Sequence, residues 1–352
     1  MANKQATRIF AGAGHFAMKS GERFRGGLFR TSTDHGEWQA VTAGLPENVE
    51  ARAFLVHPLD TDVIYAGTQD GPYRSTDGGN RWERLGFPDR GAVVWSLAFH
   101  PKQPRIMYAG VAPVALYRSE DGGDTWKKLS ARSPEHCAMG FPTRTTRIAV
   151  DPGRPDDVYA ALEVSGVIRS TDGGDSWTDL SAPLMKLSEQ PHLKSRISSD
   201  TDAEGMLDSH AVAVTGGHVF LAVRMGLFRS DDRGASWRDI EIGRFSPLVY
   251  CRDVIVSPHD TKVMYACLSP ASRSTDGSLY RSDDVGQSWR RVDHDVKANA
   301  TMMAVSVHPG DAARVYCVSR CGQVFGTEDS GASWREYRLP AGVQDVYAIA
   351  CA

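Results

Sequence analysis

The sequence predicts an all-β fold, a seven-bladed β-propeller built of four-stranded antiparallel blades. Two observations carry this. Seven of the eight tryptophans close the same short frame, with successive spacings of 44, 44, 51, 60, 52 and 45 residues. A repeat near 40–50 residues with turn signals is the period of a propeller blade. Between the frames lie short alternating apolar runs bounded by Gly, Pro and Asp, which read as strands.

The frames are STDHGEW (32–38), STDGGNRW (75–82), SEDGGDTW (119–126), STDGGDSW (170–177), SDDRGASW (230–237), SDDVGQSW (282–289) and TEDSGASW (327–334). The first is one residue short. Asp is suited to a tight turn because its carboxylate accepts from nearby backbone N–H groups, and Gly takes the positive φ such a turn needs. The Trp that follows starts the next strand and offers a large apolar face for packing between sheets.

Three further strands belong to each repeat. A run ending in a Pro turn comes first: RAFLVHP (52–58), WSLAFHP (95–101), TRIAVDP (146–152), RDVIVSP (252–258) and MAVSVHP (303–309). Seven residues after each Pro stands an aromatic, Tyr65, Tyr108, Tyr159, Tyr265 and Tyr316, opening the second strand. The third is the run before the frame, as in GPYRS, GVIRS and GLFRS. The unit is therefore strand A, turn, strand B, loop, strand C, Asp hairpin, strand D; repeat five is a shorter version of it.

The chain begins at a strand B (7–14) and ends in VQDVYAIACA (343–352), which looks like a strand A. The C-terminal segment is expected to supply the innermost strand of blade one, leaving no free inner edge. Residues 1–352 then form one domain, with blade one made of 7–42 plus 343–352.

The recurrent frame resembles the BNR, or Asp-box, repeat family, and the resemblance spans almost the whole chain. It implies the propeller fold. The superfamily includes sialidases, xyloglucan-degrading glycoside hydrolases, sortilin-type receptors and photosystem II assembly factors, so the fold does not choose the activity. The Asp boxes read as hairpin staples rather than catalytic acids. No Arg-Ile-Pro segment precedes the first box, and no Tyr–Glu nucleophile pair is assignable, so sialidase activity is not expected.

Composition narrows the classes further. The formal net charge is −3, with both signs mixed along the chain, which argues against a nucleic-acid partner. No apolar run is long enough for a membrane helix, and the N-terminus lacks an apolar leader core, so the expectation is a cytoplasmic monomer without a membrane partner. The six cysteines show no zinc spacing and read as reduced small hydrophobes; no metal is expected, and no cofactor is assigned.

Length variation points to the working face. The A–B turns and Asp hairpins share one end and hardly vary. The long connections, 129–144 and 181–208 among the D–A loops and 12–25 and 268–278 among the B–C loops, share the other. The polar 181–208 segment is expected to act as a lid. Strand A is innermost, so its first residues should ring the channel mouth: Arg52, Trp95, Thr146, Arg252 and Met303, with His210 and Asp345 added by hydrophobic pattern. Arg147 and Asp253 lie one residue further on.

Arg52, Arg147 and Arg252 could converge on a carboxylate, phosphate or sulfate through the guanidinium fork, or pair with Asp253 and Asp345 between blades. Trp95 could stack on a sugar ring or simply pack. His210, near Asp208, is the candidate general acid/base, with Asp253, Asp345 and Glu163 as candidate catalytic carboxylates. Arg224, Arg320 and His15, on B–C loops, complete the candidate substrate-binding set. The resulting expectation is a hydrolase or lyase acting on a small anionic or saccharide-like substrate at the channel mouth. The alternative is a non-catalytic ligand- or protein-binding platform.

Overall fold

The structure, a computed structural model, describes residues 6–14, 26–137, 140–194 and 202–352. Their strands form seven four-stranded antiparallel sheets. Six sheets run A-B-C-D in chain order from the axis outward. The seventh places Val346–Cys351 inside Arg8–Ala13, followed by Gly27–Ser32 and Gln39–Ala40. The last strand thus closes the ring on the first blade, with Ile9 opposite Cys351 and Ala11 opposite Ile349. Arg8 N donates to Ala352 O at 2.9 Å, and Ala352 N donates to Arg8 O at 2.9 Å. The inner edge of Arg8–Ala13, which would otherwise be open, is thereby paired.

The Asp boxes are staples. In the second, Asp77 Oδ1 accepts from Asn80 N and Arg81 N, both at 2.9 Å, while Ser75 Oγ accepts from Gly79 N. The same pattern recurs at Asp121, Asp172, Asp232, Asp284 and Asp329. In five blades the hairpin is also tied to the A–B turn of its own blade: Gly78 N donates to Asp62 O, Gly122 N to Arg105 O, Gly173 N to Asp156 O, Val285 N to Lys262 O and Ser330 N to Ala313 O, at 2.8–3.0 Å. Both turn types therefore lie at one end, which places the D–A and B–C loops at the other.

Neighbouring blades are joined by the Arg of strand C, whose guanidinium reaches a box carbonyl of the next blade. Arg30 donates to Gly78 O, Arg74 to Gly122 O, Arg118 to Gly173 O, Arg169 to Arg233 O and Arg229 to Val285 O. Tyr65 and Tyr108 reinforce two of these contacts through their hydroxyls. The apolar core sits between blades; one cluster packs Leu85, Phe87, Met107, Tyr117 and Trp126. The recurring Arg-Ser before the box thus serves the ring rather than a ligand.

The described parts of 181–208 are folded and anchored in the core. Ser181–Met185 is helical, Lys186–Glu189 and Pro191–Leu193 are 3-10 turns, and Asp202–Met206 is a second helix. Leu184, Leu193 and Met206 are buried in the core between blades four and five. The segment is polar on average, yet its spaced apolar residues anchor it. Among the described residues, no helix is long and apolar enough to cross a membrane and no group of three His, Cys, Asp or Glu could hold a metal ion.

Candidate functional site

The channel mouth is built by a defect repeated in every blade. The A–B register slips by one residue between Ala51 and Ala53, Val94 and Ser96, Thr145 and Arg147, Ser209 and Ala211, Cys251 and Asp253, and Met302 and Ala304. In blade one the slip falls between Val346 and Ala348. A bulge carries one residue without a cross-strand partner and re-aims its side chain. The seven extra residues are Arg52, Trp95, Thr146, His210, Arg252, Met303 and Tyr347, and all seven line the central cavity. Six match the sequence expectation. In blade one the residue is Tyr347, not Asp345.

The cavity also touches Arg147 and Asp253 and measures about 70 Å³. That is well below the roughly 300–1,000 Å³ of organic-ligand pockets. A saccharide ring at the channel mouth does not fit.

Cations dominate the rim, and most are paired. In blades four and five, residues just before strand A and just after strand B face each other across the hairpin, and there opposite charges meet; the other pairs lie between blades or within one strand end. Arg144 Nη1 donates to Glu163 at 2.8 Å, with both side chains 9% exposed. Arg224 pairs with Asp208 at 2.9 Å. Arg320 pairs with Asp345 at 2.6 Å and donates to Ser272 O at 3.0 Å. Arg52 pairs with Glu50. Arg147, in blade four, reaches Asp253 of blade six at 2.5 Å, and Asp253 also accepts from Val305 N at 3.2 Å. All four carboxylates considered for catalysis, Glu163, Asp253, Asp345 and Asp208, are therefore held in ion pairs. For Arg147 the inter-blade pairing with Asp253 anticipated from sequence is present.

Trp95 is only 7% exposed, and its ring is occupied. The Arg52 and Arg144 guanidinium carbons lie 4.9 and 4.7 Å from its centroid, and Tyr347 meets it edge-on at 5.3 Å. These cation–π contacts take the faces that a sugar would need. Burial pulls the Arg52 pKa below its ordinary value, although Glu50 opposes the change.

His210 is likewise committed. Its Nδ1 lies 2.7 Å from Cys251 O, so it must carry the proton. Its Nε2 is 3.3 Å from Tyr250 Oη and 3.4 Å from Asp208. Burial disfavours the Asp208 carboxylate, but His210 and Arg224 outweigh it and hold its pKa below the usual range. Neither ring nitrogen of His210 is left for a substrate. Glu50, Arg144 and Tyr347 were not singled out from sequence. Arg144 had a signal, standing three residues before Arg147 in Thr-Arg-Thr-Thr-Arg. His15 lies outside the described residues.

A larger cavity, about 740 Å³, opens on the same end between blades five and six. His192 and Leu193 of the D–A segment form one wall, and Arg224 and Met225 the next. The connection Asp239–Arg244 with Val249 adds a third, and Pro270, Ala271 and Ser272 a fourth. Its lining is mostly apolar, and Val249 is among the few exposed large hydrophobics. The acids at this groove are Asp239, 2.9 Å from His192 Nε2, and Glu241, 3.4 Å from Arg244. Tyr250 lines the groove and reaches His210, which lines the channel, so the two cavities share a wall.

Comparison with known proteins agrees with the fold. Residues 227–240 match the BNR-Asp box repeat family model, and residues 277–350 match the model described as Sortilin, neurotensin receptor 3. The chain is similar to Xyloglucanase Xgh74A of Acetivibrio thermocellus, at 29% identity over 76% of this chain and 29% of the relative. It also resembles a xyloglucanase of Hypocrea jecorina, at 23% identity over 76% of this chain and 30% of that one. It spans less than a third of the length of these curated relatives. Among solved structures, the GH74 xyloglucanase from Xanthomonas campestris matches with a TM-score of 0.61 and 20% identity, covering 92% of this chain and 51% of the other. YCF48 from Cyanidioschyzon merolae matches with a TM-score of 0.55 and 16% identity, covering 86% and 90%. At these identities the structural likeness establishes the propeller fold alone.

Proposed function

We propose that this chain is a carbohydrate-active, hydrolase-like propeller that binds a saccharide in the groove between blades five and six. The groove's size carries this reading. At about 740 Å³ it falls within the usual range of organic-ligand pockets, whereas the central cavity, at about 70 Å³, does not. Its apolar walls suit the C–H faces of sugar rings, and its charged rim offers hydrogen bonds to hydroxyls. The similarity to xyloglucanases supports the ligand class. Glycoside hydrolysis needs two carboxylates flanking the bond. Asp239 and Glu241 are the groove's carboxylates and the candidates for that pair.

A second reading, binding without bond cleavage, is favoured by one observation: Asp239 and Glu241 are both engaged by cations, His192 and Arg244. Calorimetry and product analysis on neutral, uronate-bearing and sulfated oligosaccharides, xyloglucan fragments included, separate the two. Turnover abolished in Asp239→Asn or Glu241→Gln with binding retained supports hydrolysis at these acids. Binding with no cleavage by wild type supports the platform. Absence of any saccharide binding contradicts both.

A further inference from the structure

The central cavity and the groove raise different chemical questions. In the groove, apolar surface asks for a ligand of matching shape. In the channel, polar groups ask for charge.

Around the channel mouth itself, leaving aside the groove, six arginines and five carboxylates have been placed above. Five pairs form: Arg52–Glu50, Arg144–Glu163, Arg147–Asp253, Arg224–Asp208 and Arg320–Asp345. Arg252 is the cation left over. Its guanidinium makes no hydrogen bond or ion pair with a described residue, yet it sits on a bulge that turns it toward the cavity. Burial disfavours its charge, and Tyr250, Glu163, Tyr347 and Asp208 offset that cost only through space and hold its pKa above the ordinary value, with Glu163 and Asp208 each already paired to another arginine.

Two neighbouring donors share this condition. The Tyr347 hydroxyl is buried and has no hydrogen-bond partner among the described residues, and the same is true of Arg147 Nε. Both residues line the cavity with Arg252. Buried polar groups in folded proteins are nearly always satisfied, so such a set calls for an acceptor. Burial pushes the Tyr347 phenol up to about 12, so it remains a neutral O–H donor at ordinary pH. A cavity of about 70 Å³ has room for roughly five water-sized atoms at about 10–15 Å³ each. That suits a compact oxyanion and excludes a sugar ring.

We propose that the channel mouth is a binding site for one small oxyanion, phosphate or sulfate in type, held by Arg252, Arg147 and the Tyr347 hydroxyl. Arg252 supplies a charge that no described residue pairs directly, and Tyr347 supplies a directional hydrogen bond. The oxyanion is either a free inorganic ion or a group carried on a larger molecule whose body stays outside the cavity. This site stands apart from the saccharide groove and does not depend on it.

The test is titration calorimetry in anion-free buffer on the full chain, with inorganic phosphate, sulfate, a sulfated monosaccharide and its neutral parent as probes. Wild type is expected to bind one oxyanion per chain. Arg252→Gln is expected to weaken binding by roughly 100-fold, as loss of a charge-assisted contact. Tyr347→Phe, which removes a single oxygen, is expected to weaken it by about 10-fold or more. Thermal melts without anion report whether each variant folds; if Arg252→Gln does not, Tyr347→Phe decides. Binding of the free ions identifies an inorganic ligand. Binding of the sulfated sugar alone, weakened in Tyr347→Phe, identifies a carried group. No oxyanion binding by wild type, or unchanged affinity in folded variants, overturns the proposal. Binding of neutral oligosaccharides, unaffected by either variant, reports on the groove alone.

Discussion

Replacing Asp253 by Asn separates stability from binding at the channel mouth. Asp253 is 1% exposed and is the counter-charge of Arg147, whose side chain is 37% exposed. The amide can still accept a hydrogen bond, so the variant loses charge assistance rather than the whole contact. A hydrogen bond to a charged group contributes about 1.5–3 kcal/mol. Because Arg147 can turn partly toward water, the expected loss is at or somewhat below the lower end of that range, about 1–2 kcal/mol. Glu163→Gln is the contrast. Arg144 and Glu163 are both 9% exposed, and breaking a buried pair costs about 3–5 kcal/mol. The Asp253 variant should at the same time bind oxyanions more tightly, because it removes a negative charge beside the cavity. At about 6 Å and an effective dielectric of about 20, one unit charge is worth about 3 kcal/mol before screening. Urea denaturation gives the stability term and sulfate titration the binding term. A variant that loses stability and also binds sulfate more weakly would refute the assignment of Asp253 as a competitor of the anion.

Trp126→Ala should cost about 3–5 kcal/mol, as a buried aromatic packed on Phe87 whose indole N–H donates to Gly123 O, while saccharide affinity is retained because the box lies at the opposite end; urea melts and binding curves check both. Deleting 343–352 removes the inner strand of blade one, and a melting temperature equal to that of the intact chain would contradict ring closure. Acid should weaken the ring through its Asp boxes. The Ser333 hydroxyl, the Thr327 hydroxyl and the Ser333 N–H hold Asp329 at about 2, and the Thr125 hydroxyl and N–H overcome burial to hold Asp121 at about 2. These groups bind fewer protons folded than unfolded, so their stabilisation is present above about pH 4 and is lost as pH falls through about 2. Urea midpoints that stay level from pH 5 to 2.5 would count against this.

The propeller was legible because a turn needs a few residue types at fixed offsets, and seven copies of one frame are hard to mistake. Ring closure followed from the phase of the repeat, since the chain begins at strand B and ends with strand A. The bulge ring was legible only in part. Counting back from the Pro turn found Arg52, Trp95 and Arg252, but blade one has no such Pro. Alignment by hydrophobic pattern chose Asp345 over Tyr347, because a slip of two residues leaves the buried and exposed faces of a strand unchanged. Partners were harder still. Glu163 and Arg224 stood out as polar residues after strand B, yet what they meet, Arg144 and Asp208, is decided by cross-strand geometry. The groove was not legible at all, because four separate chain segments build it. Its anchors, Leu184 and Leu193, sit in a stretch whose average polarity hides them.

The most direct test is a crystal structure with the oligosaccharide that binds tightest in the calorimetric panel. The account predicts sugar density in the groove between blades five and six, in contact with Tyr250, Met225 and Ile242 and within reach of Asp239 and Glu241. Density at the Asp-box end, or a sugar ring seated in the central channel, would contradict it.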